Sequence, residues 1–189
     1  MAESSHGTGL SIGVRGAHIT ALAALLVLFC TVVPTGLLRD HEINLISHDI
    51  KKNHVGEIIN LQLGSNATDR GLATLAGRAN LQRLNLASNP FGGGGPKITD
   101  AGMPYLQEMT NSQWLSLGGT AITDTGLVHL KGLTNLQTLN LYNTQITDAG
   151  LVHLKELTKL RALGFTDTKV TDAGVAELKK ALPNCRIVK

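Results

Sequence analysis

Apolar residues recur along this chain at fixed offsets within a phrase of 24 residues. Residues 134–157 read TNLQTLNLYNTQITDAGLVHLKEL, residues 110–133 TNSQWLSLGGTAITDTGLVHLKGL, and residues 158–181 TKLRALGFTDTKVTDAGVAELKKA. In the first of these the apolar positions are Leu136, Leu139, Leu141, Ile146, Leu151, Leu154 and Leu157. Two periods alternate. Leu139 and Leu141 are separated by one polar residue, so both side chains point to one face of a short strand. Leu151, Leu154 and Leu157 follow at a spacing of three, along one face of a helix or tight helical turn. An Ile-Thr-Asp triplet joins the two. Thr147 or Asp148 is placed to cap the following helix, because its side-chain oxygen accepts an orphan backbone N–H. An acid there also suits the positive end of the helix dipole. Thr99/Asp100, Thr123/Asp124 and Thr171/Asp172 repeat the arrangement. Every copy has one such acid and none has a distinct partner, so capping accounts for the column better than paired catalytic carboxylates.

We count five copies. The first, residues 56–78, is degenerate: Ile58, Leu61 and Leu63 hold the strand positions and one residue is missing before Asp69. The second starts at 79 and resumes at 97, with PFGGGGP (90–96) inserted between its halves. The third has Ser112 where leucine is expected, a weak point in its core. After the fifth, LPNCRIVK (182–189) reads as the start of a sixth strand and a short cap, with Cys185 and Val188 at leucine positions. One copy cannot fold alone, because burying its few aliphatic side chains does not offset the entropy of ordering the whole phrase. Stacked copies share one continuous core. The glycines Gly92 to Gly95 do not make a phosphate cradle. Such a loop ends in Gly-Lys-Ser/Thr, and here Pro96 follows Gly95. A flexible loop beside the strand edge is expected.

Upstream, residues 39–55 (RDHEINLISHDIKKNHV) place Ile43, Ile46 and Ile50 on one helical face, predicting a short capping helix over the first copy. His41, His48 and His54 do not share metal-ligand spacing and read as solvated. Residues 19–38, ITALAALLVLFCTVVPTGLL, carry no charge. At 1.5 Å rise per residue they reach about 30 Å, the hydrocarbon thickness of a bilayer. An uncleaved transmembrane anchor fits best. A signal peptide wants small residues before its cleavage point, and Val33-Pro34-Thr35-Gly36 makes a poor one. A lipid anchor at Cys30 wants a small residue before it, where Phe29 stands. Soluble burial is disfavoured by a segment apolar all round. Residues 1–18 form a tail before this segment. Lysine and arginine favour the cytosolic side. Arg15 precedes the segment and Arg39, Lys51 and Lys52 follow it, which slightly favours the repeats inside. Arg15 directly before the apolar run nevertheless resembles an export signal, so we expect a single-pass membrane protein with its repeats outside the cytosol.

Composition changes the picture little. About 150 residues follow the apolar segment, one domain's worth. The formal charge of +3 is spread without a Lys/Arg run, so nucleic acid is not indicated. Cys30 and Cys185 would lie on opposite sides of a membrane boundary and are not expected to pair. No nucleophile with a base and no convergent metal ligands appear. No cofactor is called for. His129 and His153 hold equivalent positions in adjacent copies, a column shared with Tyr105 and Glu177 that does not extend a metal site.

The phrases ITDAGLVHLK and LxxLxLxxTxITDxGL resemble the leucine-rich repeats of many bacterial membrane-anchored or exported proteins. They are also similar to the repeats of F-box/leucine-rich-repeat substrate receptors and of the ribonuclease-inhibitor class. The resemblance covers residues 56–188. It implies an α/β fold: a leucine-rich-repeat solenoid with a parallel concave sheet and short convex helices over residues 56–189, preceded here by a single N-terminal hydrophobic helix. It also implies a protein-interaction surface. An F-box would precede the repeats, but the apolar segment and a short linker occupy that space.

Residues between the leucines face outward on the concave side. One column is Asn60, Arg83, Trp114, Thr138 and Ala162; the next is Gln62, Asn85, Ser116, Asn140 and Gly164; a third is Gly64, Ala87, Gly118, Tyr142 and Thr166. The chain's single Trp falls here beside Arg83, and Tyr142 lies diagonal to it. These residue types dominate binding hot spots. The expected partner-binding set is therefore Arg83, Asn85, Trp114, Ser116, Thr138, Asn140 and Tyr142. The expected function is a non-enzymatic module, tethered to a lipid bilayer through residues 19–38, that binds a protein or peptide ligand. The alternatives are the substrate-recognition subunit of a ubiquitin-ligase-like complex and an exported structural envelope protein.

Overall fold

The computed structural model describes residues 47–63, 67–87 and 97–189. The apolar segment 19–38, the start of the 39–55 segment and the glycine-rich insert lie outside them. The described residues belong to one compact unit, Leu37–Lys189. Its sheet has seven strands in sequence order: β1 Ser47–Lys52, β2 Ile58–Leu63, β3 Arg83–Asn85, β4 Trp114–Ser116, β5 Thr138–Asn140, β6 Ala162–Gly164 and β7 Arg186–Val188. Strands β2 to β7 are parallel, each pairing with the next. The register matches equivalent residues of successive repeats, so Leu61, Leu84, Leu115, Leu139 and Leu163 form one row. A second row, Ile98, Ile122, Ile146 and Val170, closes the core beside it, and all of these side chains are buried.

The helical side follows the leucine spacing. Leu151 and Leu154 lie in a 3₁₀ helix, Asp148–Leu154, in which side chains three apart eclipse. Asp100–Leu106 is also 3₁₀. In the first and third repeats a single α turn, α1 Asp69–Leu72 or α2 Asp124–Leu127, tightens into 3₁₀. The last repeat departs from this. Its apolar positions are Val175, Leu178 and Leu182, spaced three and then four, and it forms a regular helix, α3 Asp172–Ala181. The extra residue fits the wider α turn.

Two expectations change at the ends. Residues 47–52 are not helical: β1 runs antiparallel to β2, with Ile50 opposite Leu61 and packed against the core. Strand pairing covers the edge of β2, and it wins because that edge would otherwise present unpaired N–H and C=O groups. At the other end, Ile187 rather than Val188 takes the leucine row, opposite Leu163. Val188 is exposed and Cys185 is buried as expected. Ser112 is buried too, but its hydroxyl donates to the Leu81 carbonyl at 2.9 Å. The polar group is therefore satisfied where leucine was expected.

The Thr-Asp-x-Gly phrase forms the joint between repeats. Threonine, not aspartate, is the N-cap: Thr68, Thr99, Thr123, Thr147 and Thr171 each accept from a backbone N–H of their own helix. The aspartate reaches the next repeat. Asp124 Oδ1 accepts from the Thr147 N–H at 2.8 Å and Oδ2 from its hydroxyl at 2.6 Å. Asp69 with Thr99, Asp100 with Thr123 and Asp148 with Thr171 repeat both bonds. A backbone bond between adjacent loops accompanies them, as from the Gln145 N–H to the Ile122 carbonyl at 3.0 Å. The glycine makes room, since a Cβ at Gly150 would fall within van der Waals contact of Asp124 Oδ1. The insert does not break this joint. Asp69 and Thr99 are 30 residues apart where the other pairs are 23 apart. The difference, 30 − 23 = 7, is the length of 90–96.

Thr171 holds the Asp148 carboxyl below its ordinary value of 3.8, first through its hydroxyl and then through its backbone N–H. A carboxyl lowered in the folded state stabilises the fold above its unfolded pKa, and that contribution is lost as pH falls through the folded value. Stability should therefore drop below about pH 4, and Asp148→Asn should flatten that dependence in urea titrations taken across the acid range. At the central joint, Asp124→Ala should cost about 1–3 kcal/mol, the penalty for unpairing part-buried donors. Gly150→Ala should destabilise the wild type more than it destabilises the Asp124→Ala protein. Additive effects of the two substitutions in thermal unfolding would refute the role given to this glycine.

Candidate functional site

The outward columns stand as the register requires. Arg83, Trp114, Thr138, Ala162 and Arg186 are successive partners across β3 to β7, as are Asn85, Ser116, Asn140, Gly164 and Val188. The Arg83 guanidinium sits over the Trp114 ring, 4.7 Å from its centroid. This cation–π stack is worth about 0.5–1 kcal/mol at an exposed site, and it holds the indole between β3 and the strands beyond. Asn85 and Asn140 shape the turns that leave their strands. The Oδ1 of each accepts from the backbone N–H two residues on, Ala87 at 3.0 Å and Tyr142 at 3.2 Å. Tyr142 lays its ring over Gly118, where a Cβ would overlap it.

A groove of about 400 Å³ opens beyond Trp114, floored by Thr138, Asn140, Ala162 and Gly164 and closed by Arg186 and Val188. Of the expected set, Trp114, Thr138 and Asn140 line this groove. Arg83, Asn85 and Tyr142 stand beside it. Ser116 is buried and is not among the residues that line the groove. Arg186 is the residue that sequence reasoning missed. It lies in a tail that reads as a cap, and only its offset of 24 from Ala162 would have placed it in the Trp114 column.

A second, polar concavity of about 340 Å³ lies at the strand starts, bordered by Gln82, Gln113 and Gln137. Its outer rim is internally bonded: Asn80 donates to Glu57, Asn135 to the Thr110 carbonyl and Lys159 to Asn135. On the helical side, His129 and His153 recur as expected, and the His153 Nδ1 is buried without a hydrogen-bond partner. No group of three or more His, Cys, Asp or Glu residues that could hold a metal ion occurs among the described residues. No helix among them is long and apolar enough to cross a membrane.

A family model described as leucine-rich repeats (two copies) matches residues 113–153, and one described as a leucine-rich repeat matches residues 80–100. The chain contains leucine-rich repeats. Such repeats generally mediate protein–protein binding and are typically non-enzymatic, their strand faces forming extended binding surfaces. Solved structures similar to this leucine-rich-repeat chain include a leucine-rich-repeat protein of Leptospira interrogans, 24% identical over 62% of this chain and 27% of that one, with a TM-score of 0.47. Internalin C2 of Listeria monocytogenes is 29% identical over 61% of this chain and 46% of its own, TM-score 0.47. A second Listeria monocytogenes internalin, inlF, is 19% identical over 62% and 37%, TM-score 0.42. The chain thus spans from about a quarter to about a half of the length of these proteins. A search of curated proteins found no match.

Trp114 is the single Trp of the sequence, so its emission reports on this face alone. Arg83→Ala should shift that emission by removing the stacked cation, whereas Arg161→Ala, outside the outward columns, should leave the spectrum unchanged.

Proposed function

We propose that this chain is a non-enzymatic binding module that holds a protein or peptide ligand on the exposed face of its sheet, in and around the groove beyond Trp114. The observation that carries the reading is the groove itself. An indole braced by Arg83 forms one wall, small side chains form the floor, and the apolar surface is open to a partner. Aromatic and arginine side chains beside a recess are the usual anchors of an interface. Trp114, Thr138 and Asn140 are the proposed direct contacts, with Arg83, Asn85 and Tyr142 supporting them.

The sequence of residues 19–38 supports tethering of this module to a lipid bilayer, with the repeats outside the cytosol. The membrane fraction is therefore where the partner should be sought. Extraction tests the tether: the chain should stay with membranes through a carbonate wash. Its release, or a mature N-terminus beginning near residue 37, would replace the anchor with a signal peptide.

Capture from the native membrane fraction tests the binding face. Trp114→Ala and Arg83→Ala should each weaken capture by about 1–2 kcal/mol or more, while His129→Ala, on the helical side, should change it little. Each variant is first checked for folding by circular dichroism. Equal capture by all three would remove the sheet face as the binding surface, and loss confined to the His129 variant would move it to the opposite side.

A further inference from the structure

We infer that the groove between Trp114 and Arg186 receives an extended acidic peptide segment, with a carboxylate on Arg186 and an apolar side chain about four residues away against Trp114. The inference rests on the reading that the sheet face is the binding surface, and it adds the chemistry of the occupant.

Charge supplies the first argument. The two outward columns of β2 to β7 contain arginines but no Asp or Glu. Seven of the chain's acids are engaged elsewhere. Asp69, Asp100, Asp124 and Asp148 hold the threonines of the following repeats. Glu57 accepts from Asn53 and Asn80, Asp172 pairs with Lys189, and Glu177 pairs with Lys180. Of the two arginines in the Trp114 column, Arg83 is stacked on the indole. The Arg186 side chain is exposed and has no hydrogen bond or ion pair among the described residues. A guanidinium offers a fork of donors matched to a carboxylate. With no acid on β2 to β7 to take it, the complementary anion comes from the partner.

Spacing supplies the second. Trp114 is on β4 and Arg186 on β7. Three strand separations of about 4.8 Å put the two residues about 14 Å apart along their column. An extended chain advances about 3.4 Å per residue, so about four residues cross the gap. Because four is even, the two end side chains point to the same face of the peptide and both reach the sheet. The side chain midway between them falls between β5 and β6, where Ala162 and Gly164 leave room for it beside Thr138 and Asn140. A nucleic-acid backbone fits less well, since it needs a row of cations and the groove offers one beside Ala162 and Val188.

The test uses the full chain and short fluorescein-labelled peptides of glycine and serine. Each carries one leucine and, about four residues later, glutamate, glutamine or lysine; a further peptide moves the glutamate by one position. Fluorescence polarisation should show the glutamate peptide binding about ten-fold tighter than the glutamine peptide and tighter still than the lysine peptide. The shifted peptide should lose the advantage. Arg186→Gln should erase the difference between glutamate and glutamine, and Arg186→Glu should reverse the order in favour of lysine. Equal binding of the three peptides, no binding of the glutamate peptide, or an order unchanged by Arg186→Glu would overturn the inference. Should Trp114→Ala lose the native partner while the peptides bind alike, the acidic ligand fails and the sheet face stands. Should Trp114→Ala keep the native partner, the sheet face itself fails.

Discussion

Each repeat of this chain is covered by its neighbours, and the in-register stacking of equivalent residues is the constraint on which the rest depends. The short strands β3 to β7 have three residues each and could not stand alone. They hold because Leu84, Leu115, Leu139 and Leu163 pack as one row, and because the Asp–Thr joint at the helical edge ties each repeat to the next at a second point. Two attachments on opposite sides of the leucine core fix both the separation and the register. That is why a seven-residue insertion passes without disturbing the stack: the joint from Asp69 to Thr99 is made as if the insertion were absent.

The same division of labour shapes the exposed sheet face. The repeated carboxylates are committed to the joint, where each accepts two hydrogen bonds from the following threonine. The opposite face is left with amides, small residues, a Trp and arginines. Stacking in register then places residues from distant parts of the sequence side by side, so that Trp114 and Arg186 face one another across two strands of small side chains. A recess forms there because Ala162 and Gly164 follow bulkier residues in their columns.

Where local reading went astray, a neighbour supplied what the local pattern lacked. Ile43, Ile46 and Ile50 have helical spacing, yet residues 47–52 pair with β2, since an uncovered strand edge outweighs a weak local preference. Ser112 breaks the leucine pattern and would be a defect in an isolated repeat; its hydroxyl donates a hydrogen bond to the Leu81 carbonyl of the preceding repeat. Val188 lies three residues past the buried Cys185, the spacing of a strand leucine, but the sheet keeps the 24-residue interval, which pairs Ile187 with Leu163 and leaves Val188 exposed.

The parallel strand columns, the change of period from two to three and the inward leucines of β2 to β6 were legible in the sequence. Each is a local pattern repeated at a fixed interval, and repetition makes a weak signal unambiguous. The outward columns were legible for the same reason, including the adjacency of Arg83 and Trp114. Tertiary structure decided what depends on contact across a joint. It assigned the cap to threonine and the inter-repeat bond to aspartate, because both residues can cap a helix and only the neighbour's position chooses between them. It buried Ser116, brought Arg186 to the groove and turned residues 47–52 into an edge strand. Those outcomes depend on which atoms lie one repeat away, a distance the order of residues in any single repeat does not record.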